Sequence, residues 1–253
     1  MTTQQISSPG ATTGSARALY LLIGQSNMAG RGLLDDESIR IHPRVFAWSR
    51  DERWVPARDP LHWDKPEARV GPGLAFGIAM ADADLQRVVG LIPGAVGGTA
   101  ISLWTPDTQD PVTKAFPYDD ALRRARAAQR DGTLAAILWH QGEGDRSEEA
   151  RPFYAERLKE LIARLRVDLA APDVPFIAGE LAQLDERHRQ ATSEINAALN
   201  SLVGRVANYA CVSAAGLRDG GDHLHLDAAS ARELGRRYAA AVLGQTWPVA
   251  VAG

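Results

Sequence analysis

The segment Gly24–Gly30 (GQSNMAG) contains the first residue that could carry out covalent chemistry. Ser26 follows Ala18–Ile23, an apolar run that predicts a buried strand. In open α/β sheets ligands bind outside the carboxyl ends of the strands, so a serine here would be exposed at the rim, with its backbone N–H able to face an oxyanion. The glycine spacing fits neither a dinucleotide-binding loop nor a P-loop. The simpler alternative, that Ser26 only caps a helix, stays open at this point.

The residues before the last predicted helix could supply the base that a nucleophilic serine needs. A hydroxyl is barely ionised at neutral pH, so it requires a base, and the base requires an acceptor that fixes its tautomer. Asp222 and His225 are three residues apart, a spacing that lets the carboxylate meet Nδ1 and leaves Nε2 free for Ser26. His223 is the rival base, although its adjacency to Asp222 makes the side-chain hydrogen bond harder to form. Both histidines could also be ordinary loop residues, or His223, His225 and Asp227 could form a metal site.

Two further loops could supply hydrogen-bond donors to an oxyanion. Ala95–Ile101 follows the third predicted strand and Trp139–Asp145 follows the fourth, so both should lie at the same rim as Ser26. Acyl transfer needs donors aimed at the developing oxyanion, and the N–H of Gly98 and the side-chain amide of Gln141 fit that need. The first loop could equally be a simple glycine-rich turn, and the second a satisfied polar cluster in the core.

Other polar residues in the same loops are predicted to support the reacting groups. Glu143 could hold the loop or His140 in place, or serve as an alternative acid partner of the base. His140 lies directly at a strand end, which is more typical of a structural histidine than of a base. The predicted supporting residues are Gln25, Asn27, Glu143 and His140.

Short apolar runs that alternate with amphipathic stretches predict the scaffold. Such runs are typical of strands that are buried on both faces of a parallel sheet. The predicted strands are Ala18–Ile23, Arg44–Trp48, Val88–Ile92, Leu134–Trp139, Pro175–Ala178 and Val206–Val212. The predicted helices are Leu74–Leu85, Tyr118–Arg130, Glu148–Leu169, Thr192–Leu202 and Ala228–Leu243, the last with Asp227 as its N-cap. The alternation predicts an α/β fold with helices on both faces of the sheet.

Residues 16–253 are predicted to form one domain, because a single core can grow to roughly 250 residues and the sequence shows neither a repeat nor a linker. Residues 1–15 are rich in Ser, Thr, Gln and Gly and are predicted to be flexible. Ser49–Val70 has no periodicity, and loops of this length are usually functional or mobile. Trp63, in that loop, and Trp104 are candidates for lining a pocket.

Composition excludes several classes of protein. Lys and Arg total 28 and Asp and Glu total 31, which gives a net charge of −3 and argues against a dedicated nucleic-acid binder. No apolar run approaches the ~20 residues that cross a bilayer. Residues 1–15 lack the features of a secretory signal. The single cysteine, Cys211, can form neither an intramolecular disulfide nor a cysteine-based zinc site. We therefore expect a cytoplasmic protein.

The four loops together resemble the four sequence blocks of the SGNH hydrolase superfamily. More narrowly, they are similar to its sialate O-acetylesterase-like branch, which includes the acetyl xylan esterases of carbohydrate esterase family six. The blocks run in the family's order from residue 24 to residue 225. They are Gly24-Gln25-Ser26-Asn27-Met28-Ala29-Gly30, Gly97-Gly98-Thr99-x-Ile101, His140-Gln141-Gly142-Glu143 and Asp222-x-x-His225.

The resemblance implies a three-layer α/β/α sandwich with a central, mainly parallel sheet. It also implies that Ser26 is the nucleophile, His225 the base and Asp222 the acid that orients it. The implied oxyanion donors are the backbone N–H groups of Ser26 and Gly98 and the side-chain amide of Gln141. No cofactor or metal is implied.

The sequence therefore predicts a serine esterase that removes small acyl groups, chiefly acetyl, from carbohydrate hydroxyls through an acyl-enzyme. The expected substrate is a small-molecule or oligosaccharide ester, without nucleic-acid or membrane partners. One alternative is a carbohydrate-binding protein that keeps the scaffold without catalysis. A second is a lipid or thioester hydrolase, which would need an extended apolar groove for its acyl chain.

Overall fold

A seven-stranded sheet runs through the computed structural model, which describes residues 16–244. The strands are β1 Arg17–Gly24, β2 Val45–Trp48, β3 Trp54–Pro56, β4 Val89–Pro93, β5 Gly132–His140, β6 Phe176–Gly179 and β7 Tyr209–Val212. The helices are α1 Ser26–Ala29, α2 Pro72–Asp82, α3 Pro117–Ala128, α4 Tyr154–Asp168, α5 Arg189–Ser201 and α6 Ala228–Gly244. Residues 1–15, predicted to be flexible, and 245–253, the end of the predicted domain, lie outside the described part.

Strand β1 lies at the centre of the sheet, whose order is β3-β2-β4-β1-β5-β6-β7. All neighbouring strands are parallel except β2 and β3, which pair antiparallel. Because β1 pairs with β4 on one side and with β5 on the other, the loops that follow these three strands meet at one edge. This arrangement brings three of the four sequence blocks together.

The side chains of β1 show why this segment is a central strand. Leu19, Leu21 and Ile23 pack into the core formed with α3, α4 and α5, whereas Tyr20 and Leu22 pack into the core formed with α2 and α6. A strand with apolar side chains on both faces is stable only between two helical layers. The predicted three-layer α/β/α class is confirmed.

Local signals place the ends of the helices. Pro72 occupies the first turn of α2, where the missing N–H costs nothing. The predicted cap of α6 is also confirmed, because the Ser230 N–H donates to Asp227 Oδ1 at 2.6 Å. None of the helices between residues 16 and 244 is long and apolar enough to span a bilayer.

The structure differs from the predicted elements in several places, and the largest shift of a boundary is at α4, which begins at Tyr154 rather than at Glu148. Strand β3 and the one-turn helix α1 were not predicted, since elements of three or four residues are too short to show a period. Ser49–Val70 is therefore not a featureless loop, because it contains β3 and ends where Val70 forms a β-bridge with Gly32. Strand β7 begins at Tyr209, three residues later than predicted.

Asp59 is a buried carboxylic acid in this segment that forms no ion pair with any residue of the described chain. Burial raises its pKa from 3.8 to about 7, although Arg232 opposes the shift. Because the pKa is higher in the folded than in the unfolded protein, the folded state binds more protons between the two values. The free energy of unfolding should therefore decrease as the pH rises through this range.

The Asp59→Asn protein cannot ionise at this position, so we expect it to melt several degrees above the wild type at about pH 8. Between about pH 5 and pH 8 its stability should decrease less than that of the wild type. Thermal unfolding followed by circular dichroism at both pH values measures this. The exposed Asp51→Asn variant is the control and should follow the wild type. Equal pH dependence in all three proteins would contradict the prediction.

Candidate active site

Ser26, His225 and Asp222 form a continuous hydrogen-bonded line at the carboxyl edge of the sheet. His225 Nε2 lies 3.1 Å from Ser26 Oγ, and His225 Nδ1 lies 2.6 Å from Asp222 Oδ2. Ser26 is buried at the start of α1, whereas His225 is partly exposed on the loop before α6. In this arrangement the imidazole can accept the serine proton on one nitrogen while the carboxylate fixes its tautomer through the other.

The loop itself holds the Asp222 carboxylate in place. The backbone N–H groups of His225 and Leu224 donate to Asp222 Oδ1 at 2.8 and 2.9 Å. Partial burial alone would raise the pKa of the Asp222 carboxyl, but these N–H groups and the His225 imidazole together hold it below its usual range. Asp222 is therefore a carboxylate at neutral pH, as an acceptor for an imidazole N–H must be.

Asn27 connects the serine segment to the histidine loop. Its Oδ1 accepts the Leu226 N–H at 2.9 Å, and its Nδ2 donates to the Leu224 carbonyl at 3.2 Å and to Glu143 Oε1 at 2.6 Å. Two of these bonds bracket His225 in the chain, so Asn27 fixes the loop that presents the imidazole. Its predicted supporting position agrees with this geometry.

Gly24 allows the chain to leave β1 in the direction that places Ser26 at the rim. It has φ +128°, and a Cβ there would lie 2.1 Å from the His140 carbonyl oxygen. The next residue, Gln25, donates its N–H to that same carbonyl at 2.9 Å. Only glycine fits this close approach of β1 to β5.

The loop after β4 presents a free backbone donor to the cavity that Ser26 also lines. The Gly97 N–H donates to Asp64 Oδ2 at 2.8 Å, and that oxygen also accepts from Arg31 at 2.8 Å. The Gly98 N–H, by contrast, has no acceptor within the described part of the chain. Gly98 has φ +84°, and both glycines line the cavity in front of Ser26. The geometry therefore favours Gly98 over Gly97 as a donor to a ligand.

The structure corrects the prediction for Gln141, whose amide was expected to face the ester. The side chain is fully buried and does not line the cavity. Its Nε2 donates to Asp145 Oδ2 at 2.7 Å and to the Thr99 carbonyl at 2.9 Å, and it lies 3.1 Å from Gln25 Oε1. Its two amide hydrogens are already engaged by protein acceptors, so none is left for an oxyanion.

Gln25 has the free amide instead. Its Oε1 accepts the Gly144 N–H at 3.2 Å and lies 3.1 Å from Gln141 Nε2, which fixes the orientation of the side chain. Its Nε2 donates to no residue between 16 and 244, and Gln25 lines the cavity next to Ser26. The buried Asp145 stabilises this arrangement by holding Gln141. The sequence could not reveal which of the two amides is free, because that depends on the acceptors that surround each amide.

His140 and Glu143 lie behind the reacting groups. Burial lowers the pKa of His140, whose Nδ1 lies 3.4 Å from the Tyr238 hydroxyl. Glu143 accepts from Asn27, and its Oε1 lies 3.9 Å from His140 Nε2. Neither residue is hydrogen-bonded to His225, so Glu143 lacks the geometry that Asp222 has for the role of acid partner.

His223, the rival base, is exposed and lies beside Asp219, with 3.8 Å between Nδ1 and Oδ2. It does not line the cavity. A metal site would need His223, His225 and Asp227 to converge, but they face Asp219, Ser26 and the first turn of α6 respectively.

The triad opens into a cavity of about 710 Å³ with a charged lining. Most of these charged residues carry no sequence signal, because they lie in segments without a period or motif. They are Arg31, Lys65, Glu67 and Arg69, together with Glu143 and Asp222. Neither candidate tryptophan lines this cavity: Trp104 is fully buried with Nε1 3.2 Å from Thr99 Oγ1, and Trp63 lines neighbouring pockets.

Comparison with known proteins agrees with this architecture. The profile of the family described as carbohydrate esterase, sialic acid-specific acetylesterase matches residues 16–244. A probable carbohydrate esterase of Arabidopsis thaliana is 31% identical over 89% of this chain and 90% of its own. The X-ray structure of that Arabidopsis protein matches with a TM-score of 0.80 over 91% of this chain and 99% of its own.

Two more distant structures show the same fold. The crystal structure of NanS matches with a TM-score of 0.75 at 18% identity, over 92% of this chain and 98% of its own. A carbohydrate acetylesterase from Xanthomonas citri matches with a TM-score of 0.71 at 15% identity, over 90% of this chain and 57% of its own.

Proposed function

The chain belongs to the sialic acid-specific acetylesterase family of carbohydrate esterases, and from this premise we propose that it is a serine esterase that removes acetyl groups from carbohydrate hydroxyls. The observation that carries the proposal is the line from Ser26 Oγ through the His225 imidazole to the Asp222 carboxylate. A nucleophile, a base and an orienting acid in hydrogen-bond reach are the requirements for acyl transfer through a covalent intermediate.

In the first half-reaction, Ser26 Oγ attacks the ester carbonyl while His225 Nε2 accepts the hydroxyl proton. The tetrahedral intermediate collapses when His225 returns that proton to the leaving sugar oxygen, which leaves an acetyl-serine. In the second half-reaction, His225 takes a proton from water, the resulting hydroxide attacks the acetyl carbonyl, and Ser26 Oγ leaves as it regains a proton. Asp222 stabilises the imidazolium that forms in both halves.

Three donors are proposed to hold the oxyanion: the backbone N–H groups of Ser26 and Gly98 and the side-chain amide of Gln25. Gln25 takes the role that the sequence assigned to Gln141, because its Nε2 is the amide nitrogen without a protein acceptor beside Ser26. Donors that are already fixed by the protein stabilise the developing charge without reorganisation at the moment of reaction. Gln141 and Asp145 then act as positioning residues for Gln25.

We expect Gln25→Ala to lower kcat for p-nitrophenyl acetate by roughly 100-fold with little change in KM, because the lost bond strengthens only in the transition state. Steady-state kinetics measures both constants. Gln183→Ala, which removes an exposed amide that contacts Ser193, is the control and should match the wild type. A kcat within about threefold of the wild type would remove Gln25 from the oxyanion site.

The cavity lining supports a small, polar substrate. Five charged side chains surround the triad besides Asp222, and Leu224 is the one large apolar residue among those that line the cavity. A long acyl chain would have to lie against these charges, which costs free energy because they would lose water. A lipid hydrolase therefore has no support in the described cavity, whereas hydroxyl-rich sugars can hydrogen-bond to it.

The proposed function is tested by labelling the protein with an organophosphate and mapping the adduct by mass spectrometry. We expect one adduct, on the peptide that contains Ser26, with esterase activity lost in proportion to labelling. A carbohydrate-binding protein without catalytic function would remain unlabelled and would release no acetate from acetylated sugars. Either of these results would overturn the proposal.

A further inference from the structure

The Asp64 carboxylate joins two chain segments that line the cavity, although Asp64 itself does not line it. Its Oδ2 accepts the Gly97 N–H from the loop after β4 and the Arg31 guanidinium from the segment after α1, each at 2.8 Å. Arg31 also donates to the backbone carbonyl at the C-cap of α1 at 2.7 Å. One carboxylate oxygen thus ties the loop that carries the Gly98 N–H to the helix that begins at Ser26.

The ion pair between Asp64 and Arg31 is enclosed by the protein. The side chain of Asp64 is 1% exposed and that of Arg31 is 9% exposed. A Cβ at Gly97 would lie 2.7 Å from Asp64 Oδ2 and 3.5 Å from Ser26 Cβ, so the Gly97 backbone fills the gap between the carboxylate and the nucleophilic residue. A charge this deep in a protein must stay paired, so the carboxylate holds its two donors in one arrangement.

The residues on either side of Gly98 are both anchored. Asp64 holds the Gly97 N–H, and Gln141 Nε2 donates to the Thr99 carbonyl at 2.9 Å. Gly98 lies exposed between these anchors, with φ +84° and an N–H that has no acceptor among residues 16–244. That N–H belongs to the planar peptide unit between Gly97 and Gly98, so its direction depends on the backbone that Asp64 anchors.

We propose that Asp64 is a positioning residue for the oxyanion site. It fixes the backbone at Gly97 so that the Gly98 N–H points towards the oxygen that becomes negative when Ser26 attacks the ester. The inference rests on the proposed function. A donor stabilises the developing charge only when it is aligned before the reaction, and Arg31 neutralises the Asp64 carboxylate, whose charge would otherwise oppose that of the oxyanion.

The Asp64→Ala protein tests the proposal, because it has no acceptor for the Gly97 N–H. We expect kcat for p-nitrophenyl acetate to fall about 100-fold with KM within about threefold of the wild type, since a misaligned donor matters chiefly in the transition state. Steady-state kinetics measures both constants.

Asp64→Asn is the conservative variant that should restore turnover. Its side-chain oxygen can accept from Gly97 and Arg31 as Oδ2 does, and its NH₂ group can take the place of Oδ1, which has no hydrogen-bond partner among the described residues. We therefore expect its kcat to stay within about fivefold of the wild type.

Asp35→Ala is the control for a general loss of stability. It breaks an ion pair with Arg232 outside the cavity. Both alanine variants should melt below the wild type, but only Asp64→Ala should lose turnover. If Asp64→Ala does not fold, Arg31→Met/Asp64→Leu replaces the buried ion pair by apolar side chains, which proteins often tolerate. This double variant also lacks the acceptor and should show the same loss in kcat.

Binding of phenylboronic acid gives a readout that does not depend on turnover. Ser26 Oγ donates an electron pair to boron as its proton passes to His225, and the tetrahedral adduct places one boron-bound oxygen at the oxyanion position. An analogue of the transition state loses affinity when the transition state loses stabilisation. Calorimetry of the full chain should show a dissociation constant at least about tenfold higher in Asp64→Ala than in the wild type.

The outcomes separate this role from the esterase itself. Wild-type kcat in Asp64→Ala, equal losses in Asp64→Asn and Asp64→Ala, an equal loss in Asp35→Ala, or unchanged affinity for phenylboronic acid would each overturn the positioning role and leave the esterase in place. A wild type that neither hydrolyses p-nitrophenyl acetate nor binds phenylboronic acid would refute the proposed function and this role with it.

Discussion

We expect the Ser26→Ala protein to lose at least about 10⁴-fold in kcat for p-nitrophenyl acetate. The loss follows from the geometry, because no other hydroxyl in residues 16–244 is hydrogen-bonded to His225 Nε2, which lies 3.1 Å from Ser26 Oγ. Removing Oγ leaves the imidazole without a nucleophile to deprotonate. The backbone N–H at position 26 and the rest of the site remain, so substrate binding should persist.

The measurement is a progress curve at high enzyme concentration, corrected for spontaneous hydrolysis. Ser102→Ala, a substitution of an exposed serine in the segment after Gly98, is the matched control and should retain wild-type turnover. Circular dichroism should show that both variants are folded. A Ser26→Ala protein with more than about one hundredth of wild-type kcat would assign the nucleophile to another group.

The sequence was sufficient to predict which loops meet at the candidate site, and the reason lies in the strands. Each block directly follows an apolar run or precedes the last helix, and parallel strands place such loops at a common edge. The pairing of β1 with β4 and β5 could not be deduced from the runs themselves, but the three blocks that follow these strands converge in any sheet in which the strands are close neighbours. The predicted fold class is therefore correct although β3 and α1 were missed.

The sequence was not sufficient to assign the amide donor. Gln25 and Gln141 are both glutamines at the ends of adjacent strands, and only their surroundings distinguish them. Asp145 engages Nε2 of Gln141, and the Gly144 N–H engages Oε1 of Gln25, so the first amide is used inside the protein and the second is left free. Such a distinction depends on distances of about 3 Å, which no residue spacing records.

The charged wall of the cavity was missed for a related reason. Three of its residues, Lys65, Glu67 and Arg69, lie in the stretch between β2 and α2, where the sequence shows no period. The ends of this stretch are fixed by the β2–β3 pairing and by the bridge between Gly32 and Val70. Its course between them, which carries Trp63, Asp64 and Lys65 past the catalytic edge, depends on tertiary contacts.

The second large loss of turnover is expected when Asp222 is replaced by asparagine. In the Asp222→Asn protein the side-chain oxygen can still accept the N–H groups of Leu224 and His225, which places the new NH₂ group towards His225 Nδ1. The imidazole must then accept a hydrogen bond at Nδ1 and carry its proton on Nε2, where the Ser26 proton has to go. This is the wrong tautomer for a base, and we expect kcat to fall about 10⁴-fold with little change in KM.

The matched control is Asp219→Asn in the same loop. Asp219 Oδ1 accepts the N–H groups of Gly221 and His223, and an asparagine oxygen can do the same, so this variant should keep turnover within about threefold of the wild type.

If Asp222→Asn instead retained more than about a tenth of wild-type kcat, the orienting acid would have to be another group. Glu143→Gln would then identify it, because Glu143 is the other carboxylate in the cavity wall that reaches the serine segment, through Asn27. If only Glu143→Gln lost turnover, Glu143 would be the acid that orients His225. If only Asp222→Asn lost turnover, the orienting acid would be Asp222, whose carboxylate lies 2.6 Å from His225 Nδ1.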